Sequence, residues 1–144
     1  MGLLEELNRF YYRKSLNELK KMSDCESGAY ITYNSLLYLN VIMWTKNCTA
    51  GYISKALNVS KSAVAVKINE LLKQGLIERC QSKTDKRIYY ITIKPETADD
   101  LCKFDRKLEG AIETIGAKYS WSHLESFNVM LQKINEEYEQ NKNG

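Results

Sequence analysis

The sequence contains few residues that interrupt secondary structure and no segment suited to crossing a membrane. Its 144 residues include one proline and seven glycines, which excludes collagen-like and long low-complexity regions. No apolar run approaches the roughly 20 residues that a membrane-spanning helix needs. Residues 1–14 carry acids where a signal peptide carries bases, and they lack a continuous apolar stretch. We therefore expect a cytoplasmic protein with one globular domain and helical extensions.

Cysteine and histidine are also scarce. The four cysteines are scattered without Cys-x-x-Cys spacing, which in a cytoplasmic protein predicts reduced thiols. Cys25 lies between two acids that would raise its pKa, and Cys48, Cys80 and Cys102 are interpreted as small buried apolar residues. Redox sensing stays open as a less favoured alternative.

A typical transition-metal site needs several nitrogen or sulfur ligands close together, and His123 is the only histidine, so we predict no metal and no cofactor. The sequence also lacks a Ser-His-Asp set, a Cys-His pair with a supporting context and a glycine-rich phosphate loop. We therefore expect that the protein is not an enzyme.

Positive charge is concentrated in the middle of the chain. Residues 45–94 contain ten bases and three acids, a net charge of +7, whereas residues 1–44 are neutral and residues 95–144 carry −4. A basic segment between neutral and acidic flanks is typical of a nucleic-acid-binding module.

Apolar spacing predicts helices before and within this basic segment. The first helix covers residues 3–22, and a mostly apolar, buried helix follows from Tyr33 to about residue 46, capped by Thr32. Thr49 caps a short helix over residues 50–57, and Asn58 is expected to adopt a positive φ after it.

The following segment has the order helix, strand, turn, strand. A helix capped by Ser60 extends to Gly75, with Val64, Ile68 and Leu71 on its inward face. Strands over residues 76–81 and 88–93 flank a basic turn over residues 82–87. Together with the helix at 50–57, this order predicts a winged helix-turn-helix, so the fold class is mainly α with a small β-wing.

Two long helices are predicted after the wing. The first, residues 96–118, follows Pro95, and its apolar residues are Leu101, Phe104, Leu108, Ala111 and Ile115. The second covers residues 123–141, is capped by Ser122, and has the apolar residues Leu124, Phe127, Leu131, Ile134 and Tyr138. Such long seams favour a homodimer, and the alternative is that they cover their own monomer.

These features resemble the MarR family of winged helix-turn-helix transcriptional regulators. The matching residues are 32–39, the stretch ISKALNVSKSAVAVKINELLKQGLIER at 53–79, and TDKR at 84–87. The chain departs from the family where Leu-Thr-x-x-Gly often follows the wing, and where Thr-Arg often stands in place of Ala65-Val66.

The resemblance implies one domain over residues 1–144. Its DNA-binding part would be residues 32–94, and its dimerisation helices residues 1–22 and 96–142. It implies a homodimeric repressor on a palindromic operator, released by a small-molecule effector. The alternative function is a winged-helix protein-interaction module without DNA binding.

The predicted DNA-binding residues lie on the helix after Ser60 and in the wing. Arg87 is expected in the minor groove, oriented by a bidentate pair with Asp85, while Lys83 and Lys86 bind phosphates. Those on the helix are Lys61, Ser62, Ala63, Ala65, Val66, Asn69 and Lys73. Ser62 and Asn69 would contact base edges, and the apolar ones would contact thymine methyls. The alternative is a solvated helix and hairpin turn.

Aromatic residues on the early helices suggest a place for a small aromatic effector. The candidates are Tyr11, Tyr33, Tyr38 and Trp44, because aromatic rings with polar tips suit a planar or phenolic ligand. The alternative is that they pack in the core or an interface.

Overall fold

The computed structural model describes residues 2–22 and 31–140. The chain divides into two compact units, Met1–Phe104 and Asp105–Gly144. Cys25 and the predicted end of the last helix at residue 141 lie outside the described residues. No described helix is both long and apolar enough to cross a membrane.

The first unit contains the helices and strands of the predicted winged helix-turn-helix. Its elements are α1 (Leu3–Met22), α2 (Tyr33–Met43), α3 (Ala50–Leu57), α4 (Lys61–Lys73), β1 (Ile77–Gln81), β2 (Tyr89–Ile93) and α5 (Pro95–Cys102). The mainly helical fold with a two-stranded antiparallel wing is confirmed.

Three hydroxyl side chains begin α2, α3 and α4, as predicted. The hydroxyl oxygens of Thr32, Thr49 and Ser60 accept hydrogen bonds from the backbone N–H three residues later, at 3.1, 3.2 and 3.1 Å. Each bond satisfies an amide that the first helical turn leaves without a partner. Asn58, at the end of α3, adopts the predicted left-handed conformation with φ 52°.

The core of this unit lies between α2, α3, α4 and the hairpin. The predicted inward residues of α4, Val64, Ile68 and Leu71, are buried, as are Ile53 of α3 and Leu39 of α2. Among the described residues of α1, only Met22 is buried. The core therefore fixes the orientation of α4 and leaves its opposite face in solvent.

The hairpin is attached to the helices by a tight turn and by backbone hydrogen bonds. Gly75, between α4 and β1, has φ 71°, a conformation that a residue without Cβ adopts at no steric cost. Ile77 pairs with Ile93 and Gln81 with Tyr89 across the hairpin. Ile91 also donates its backbone N–H to the carbonyl of Cys48 at 2.9 Å, which ties the wing to the segment before α3.

Three predicted boundaries of the helices were wrong. α2 ends at Met43, and Trp44 serves as its C-cap, three residues before the predicted end. α4 ends at Lys73, because the turn through Gly75 begins there. α7 (Trp121–Gln140) begins before Ser122, which therefore does not cap it.

The predicted helix over residues 96–118 is interrupted. α5 begins at Pro95, a 3₁₀ turn follows at Lys103–Asp105, and α6 covers Arg106–Lys118. At the interruption Phe104 is buried, and the Lys103 carbonyl accepts a hydrogen bond from Nζ of Lys21 at 2.8 Å. The single seam predicted from Leu101 to Ile115 is therefore wrong, because its first two members belong to the core of the first unit.

The second unit consists of α6 and α7. None of residues 106–139 is buried, and Ile112, Phe127 and Met130 are each more than half exposed. Leu124, Leu131 and Ile134, which belong to the predicted seam of α7, are partly exposed. The apolar side chains of this unit are thus accessible to a partner.

Candidate nucleic-acid interface

The outer face of α4 presents the residues predicted to contact DNA. Val64, Ile68 and Leu71 anchor the inner face. The predicted contact residues of α4 are all exposed: Lys61, Ser62, Ala63, Ala65, Val66, Asn69 and Lys73. Val66 is 68% exposed, an unusual position for an apolar side chain on a folded surface. The face combines cations, small side chains and one amide, which suits an approach to base edges and thymine methyls.

The start of α4 is well ordered by its cap. Ser60 Oγ accepts from the Ala63 amide, and it also lies 3.1 Å from Oγ of Ser62. The positive end of the helix dipole and the adjacent Lys61 make this turn attractive to a phosphate. Ser62 is therefore partly engaged in the cap, in addition to its predicted contact with a base.

Lys67 connects α4 to α2 and was not among the predicted residues. Its Nζ lies 3.0 and 3.1 Å from the two carboxylate oxygens of Glu70, and 3.4 Å from Oγ of the buried Ser35. This arrangement neutralises one lysine of the basic segment locally. It also holds the outer face of α4 in a defined orientation relative to α2.

The wing turn is stabilised by short-range hydrogen bonds around Ser82. The Ser82 side chain is buried, and its Oγ accepts from the backbone N–H groups of Thr84 and Asp85, both at 3.3 Å. Ser82 N–H donates to the Ile88 carbonyl at 2.9 Å, and Gln81 Nε2 donates to the Lys86 carbonyl at 2.6 Å. The turn therefore presents its basic side chains from a fixed backbone.

Asp85 and Arg87 form the predicted bidentate pair. Nε and Nη2 of Arg87 donate to the two carboxylate oxygens of Asp85 at 3.1 and 3.0 Å. The backbone N–H of Arg87 donates to the same carboxylate at 3.0 Å. Hydrogen bonding to the Arg87 side chain lowers the pKa of Asp85 most, and the bond from the Arg87 backbone N–H lowers it further. The same pair raises the pKa of Arg87. The Arg87 side chain stays 90% exposed, so it is oriented while remaining accessible.

The two other predicted wing residues, Lys83 and Lys86, are exposed. Their ammonium groups stand on the same turn as Arg87. The turn thus carries three cations and one acid, and the acid is engaged with Arg87.

The hairpin adds two residues that the sequence reasoning missed. The guanidinium of Arg79 lies over the ring of Tyr89, 5.9 Å from its centroid. With Arg87, they line a groove of about 520 Å³ whose opposite wall is the start of α3, from Thr49 to Gly51. Alternation along β1 places Arg79 on the same face as the buried Ile77, and the register of the hairpin brings Tyr89 to that face.

The four effector candidates are not brought together in one site. Tyr38 is buried, whereas Tyr11, Tyr33 and Trp44 are exposed at 67%, 44% and 82%. Tyr38 lines a second groove, also about 520 Å³, between α2 and the outer face of α4. The lining of that groove includes Ser62 and Val66, but not the other three aromatic candidates.

The prediction that the later cysteines are buried was correct for one thiol only. Cys48 is buried, and burial raises its pKa to about 11. Cys80 and Cys102 are exposed, because β1 and α5 each present one face to solvent. Within residues 2–22 and 31–140, no three His, Cys, Asp or Glu side chains are grouped to hold a metal ion.

Comparison with known proteins supports this interpretation of the fold. The model of the MarR family matches residues 31–88, which confirms the predicted resemblance. The transcriptional regulator Tm0710 of Thermotoga maritima is 21% identical, with a TM-score of 0.65 over 97% of this chain and 96% of its own.

Two similar structures were solved with DNA. FabT of Streptococcus pneumoniae is 18% identical, with a TM-score of 0.60 over 95% of this chain and 98% of its own. MepR of S. aureus is 16% identical, with a TM-score of 0.55 over the same shares. At these identities the likeness shows the fold. Comparison with curated proteins found no match.

Proposed function

We propose that this chain, whose winged helix-turn-helix segment is of the MarR family, is a sequence-specific DNA-binding transcriptional repressor that acts as a homodimer. The observation that carries the proposal is the oriented, exposed Arg87 at the tip of a wing that follows a basic, solvent-facing α4. Narrow minor grooves attract an arginine held in this way, while an adjacent helix suits the major groove.

Charge favours DNA over a protein partner for this surface. Residues 45–94 carry a net charge of +7, and their side chains include all eleven predicted contact residues. A protein-interaction module would not need this excess of cations. The proposed function places the protein in the compartment that holds the DNA, for which we propose the cytoplasm.

The dimer proposal is supported by the accessible apolar side chains of α6 and α7, together with those of α1, such as Phe10 at 48% exposed. Two copies of α4 would enter successive major grooves, about one helical turn or 34 Å apart. The operator would then be an approximate palindrome. Repression would follow where such a site overlaps a promoter, and a reporter gene placed behind the selected site would measure it.

We further propose that an aromatic effector acts at the groove beside Tyr38. This groove includes Ser62 and Val66 of the outer face of α4, so an occupant would compete directly with DNA. A thermal-shift screen of planar phenols and carboxylates tests this idea. Stabilisation that is lost in Tyr38→Ala but retained in Trp44→Ala supports the site, and a screen without hits contradicts it.

The central experiment is selection of bound duplexes from a random pool with the purified full chain. We expect enrichment of an approximately palindromic site. Affinity for it should fall steeply with salt, because each neutralised phosphate contributes about −0.9 to the slope of log K against log salt. Enrichment of no sequence, with an affinity that does not respond to salt, would favour the protein-interaction module instead.

Arg87→Ala tests the wing within the same assay. Binding to the selected site should weaken about tenfold, in keeping with the 1–3 kcal/mol typical of a good arginine contact, and base preference should flatten at the site edges. Arg106→Ala, which removes an exposed arginine of α6, is the matched control. Unchanged affinity and preference in Arg87→Ala would refute the assignment of the wing.

A further inference from the structure

The inner face of the hairpin changes character where it leaves the core. Ile77 and Ile91 are buried on this face, and the next residues on it are Arg79, Gln81 and Tyr89. Gln81 Nε2 donates to the Tyr89 hydroxyl at 3.2 Å, so the three polar side chains stand together. An aromatic ring holds Arg79 in place without neutralising its charge.

Arg79 and Tyr89 of this polar part line the groove beside α3. Ile68 and Ile91 are apolar residues of its lining, and Thr49, Ala50 and Gly51 form the opposite wall. Arg79 and Arg87 both line it, and no acid is among its described lining residues. The Asp85 pair occupies Nε and Nη2 of Arg87, so Nη1 takes no part in it.

We infer that this groove binds one backbone phosphate at the edge of the minor groove, with Arg79 and the Nη1 group of Arg87, which extends past it into the minor groove, as its two cationic contacts. A phosphodiester matches this lining because it offers two anionic oxygens to a pair of guanidinium groups. The sugar next to it would face the apolar part of the groove. Arg79 then anchors the duplex between the contacts of α4 and those of the wing tip, and it carries no base preference of its own.

The inference rests on the proposed DNA-binding function, and its test separates the two. Wild type, Arg79→Ala and Arg79→Gln are titrated against the selected duplex and against an unrelated duplex of the same length. For each variant, we expect the affinity to fall by about the same factor on the selected and the unrelated duplex. The slope of log K against log salt should become less steep by about one. Arg106→Ala is again the control, and melting curves identify any variant that fails to fold.

A scan with methylphosphonates locates the phosphate. Each phosphate of the selected duplex is replaced singly by this neutral analogue, and wild type should lose affinity at a small number of positions. At one of them the loss should be clearly smaller in Arg79→Ala than in wild type, because one of the two cationic contacts is already absent. Tyr89→Phe should behave as wild type, since the ring beneath Arg79 is retained.

Three results would overturn the inference. In the first, Arg79→Ala and Arg79→Gln have the same affinity as Arg106→Ala for both duplexes. Arg79 then plays no part in binding, while DNA binding by wild type leaves the proposed function intact. The Arg79 variants could instead change base preference with an unaltered methylphosphonate profile, which would indicate a base contact. Binding of no duplex by folded wild type would refute both proposals.

Discussion

The carboxylate of Asp85 accepts three hydrogen bonds from Arg87, two from the guanidinium and one from the backbone amide. An acid in a turn that is proposed to bind DNA repels phosphates, so its presence requires a compensating effect. The geometry provides one, because the pair restricts a long side chain that is otherwise 90% exposed. Under the proposed function, the pair reduces in advance the entropic cost of ordering Arg87 on DNA.

This relationship predicts opposite effects of Asp85→Asn on two kinds of DNA. Affinity for an unrelated duplex should rise, because one negative charge is removed from the wing. Discrimination, measured as the ratio of affinities for the selected and unrelated duplexes, should fall roughly fivefold, because Arg87 loses its charge-assisted bonds. Competition titrations at one fixed salt concentration give both values, and an unchanged ratio would contradict the orienting role.

The same pair predicts how the wing responds to pH. Arg87 lowers the pKa of Asp85, so the carboxylate is ionised throughout the neutral range, and the pair is lost only as pH falls through that lowered value. Titration of Asp85 should therefore not alter DNA affinity between pH 6 and 8.

Interactions between residues close in sequence were predictable, and those between distant segments were not. Thr32, Thr49 and Ser60 cap their helices through bonds that span three residues, and the Asp85–Arg87 pair spans two. Such contacts depend mainly on local backbone geometry. The inward face of α4 was equally predictable, since its 3.6-residue period is a property of one helix.

The wrong predictions arose where contacts between distant parts of the chain determine the structure. The 3₁₀ turn at Lys103–Asp105 coincides with burial of Phe104 and a hydrogen bond from Lys21, which lies 82 residues away in sequence. Arg79 was missed because its partner Tyr89 lies on the other strand, and only the register brings the two together. Periodicity within one segment contains no information about either contact.

Two valines of α4 provide a matched pair for separating stability from DNA recognition. Val64 is completely buried, whereas Val66, two residues later, is 68% exposed. Val64→Ala should lower the free energy of unfolding by about 2 kcal/mol, the combined cost of lost transfer energy and a small cavity. Val66→Ala should change it by less than about 0.5 kcal/mol.

The DNA assay should give the reverse order for the two variants. Val66→Ala removes a candidate methyl contact and should weaken discrimination between thymine and other bases at one position, while folded Val64→Ala should retain it. Urea unfolding and competition titrations measure the two properties separately. Equal stability of both variants would contradict the described orientation of α4.

The cysteines should differ sharply in reactivity. In a Cys25→Ser background at pH 8, iodoacetamide should modify the exposed Cys80 and Cys102 quickly, because alkylation requires an accessible thiolate. Cys48 should react only when the protein unfolds, since it is buried and its pKa is raised to about 11. Mass spectrometry of digested samples gives the rate for each site, and rapid native labelling of Cys48 would be inconsistent with the structure.

Burial of Cys48 also predicts a loss of stability at high pH. At neutral pH, well below the ordinary thiol pKa of about 9, the thiol is protonated in both folded and unfolded chains. As pH rises further, the unfolded chain releases this proton while the folded chain retains it up to a pKa of about 11, so the free energy of unfolding falls over this interval. Cys48→Ala should reduce this dependence in urea unfolding measured from pH 8 to 10.5.

The accessible seam of α7 predicts that association depends on Phe127, which is 51% exposed. A charge introduced there would be buried in a dimer at a high desolvation cost, so Phe127→Glu should shift the protein from twice the chain mass toward 16.7 kDa in sedimentation velocity. Gln132→Glu introduces the same charge on a different face of α7, about one third of a turn from the seam, and should remain dimeric.

The monomeric variant should lose far more affinity for a duplex with two half-sites than for one with a single half-site, because only a dimer can bind both half-sites at once. A wild-type chain that sediments as a monomer would refute dimerisation, and an equal loss on both duplexes would show that the substitution damages the first unit instead.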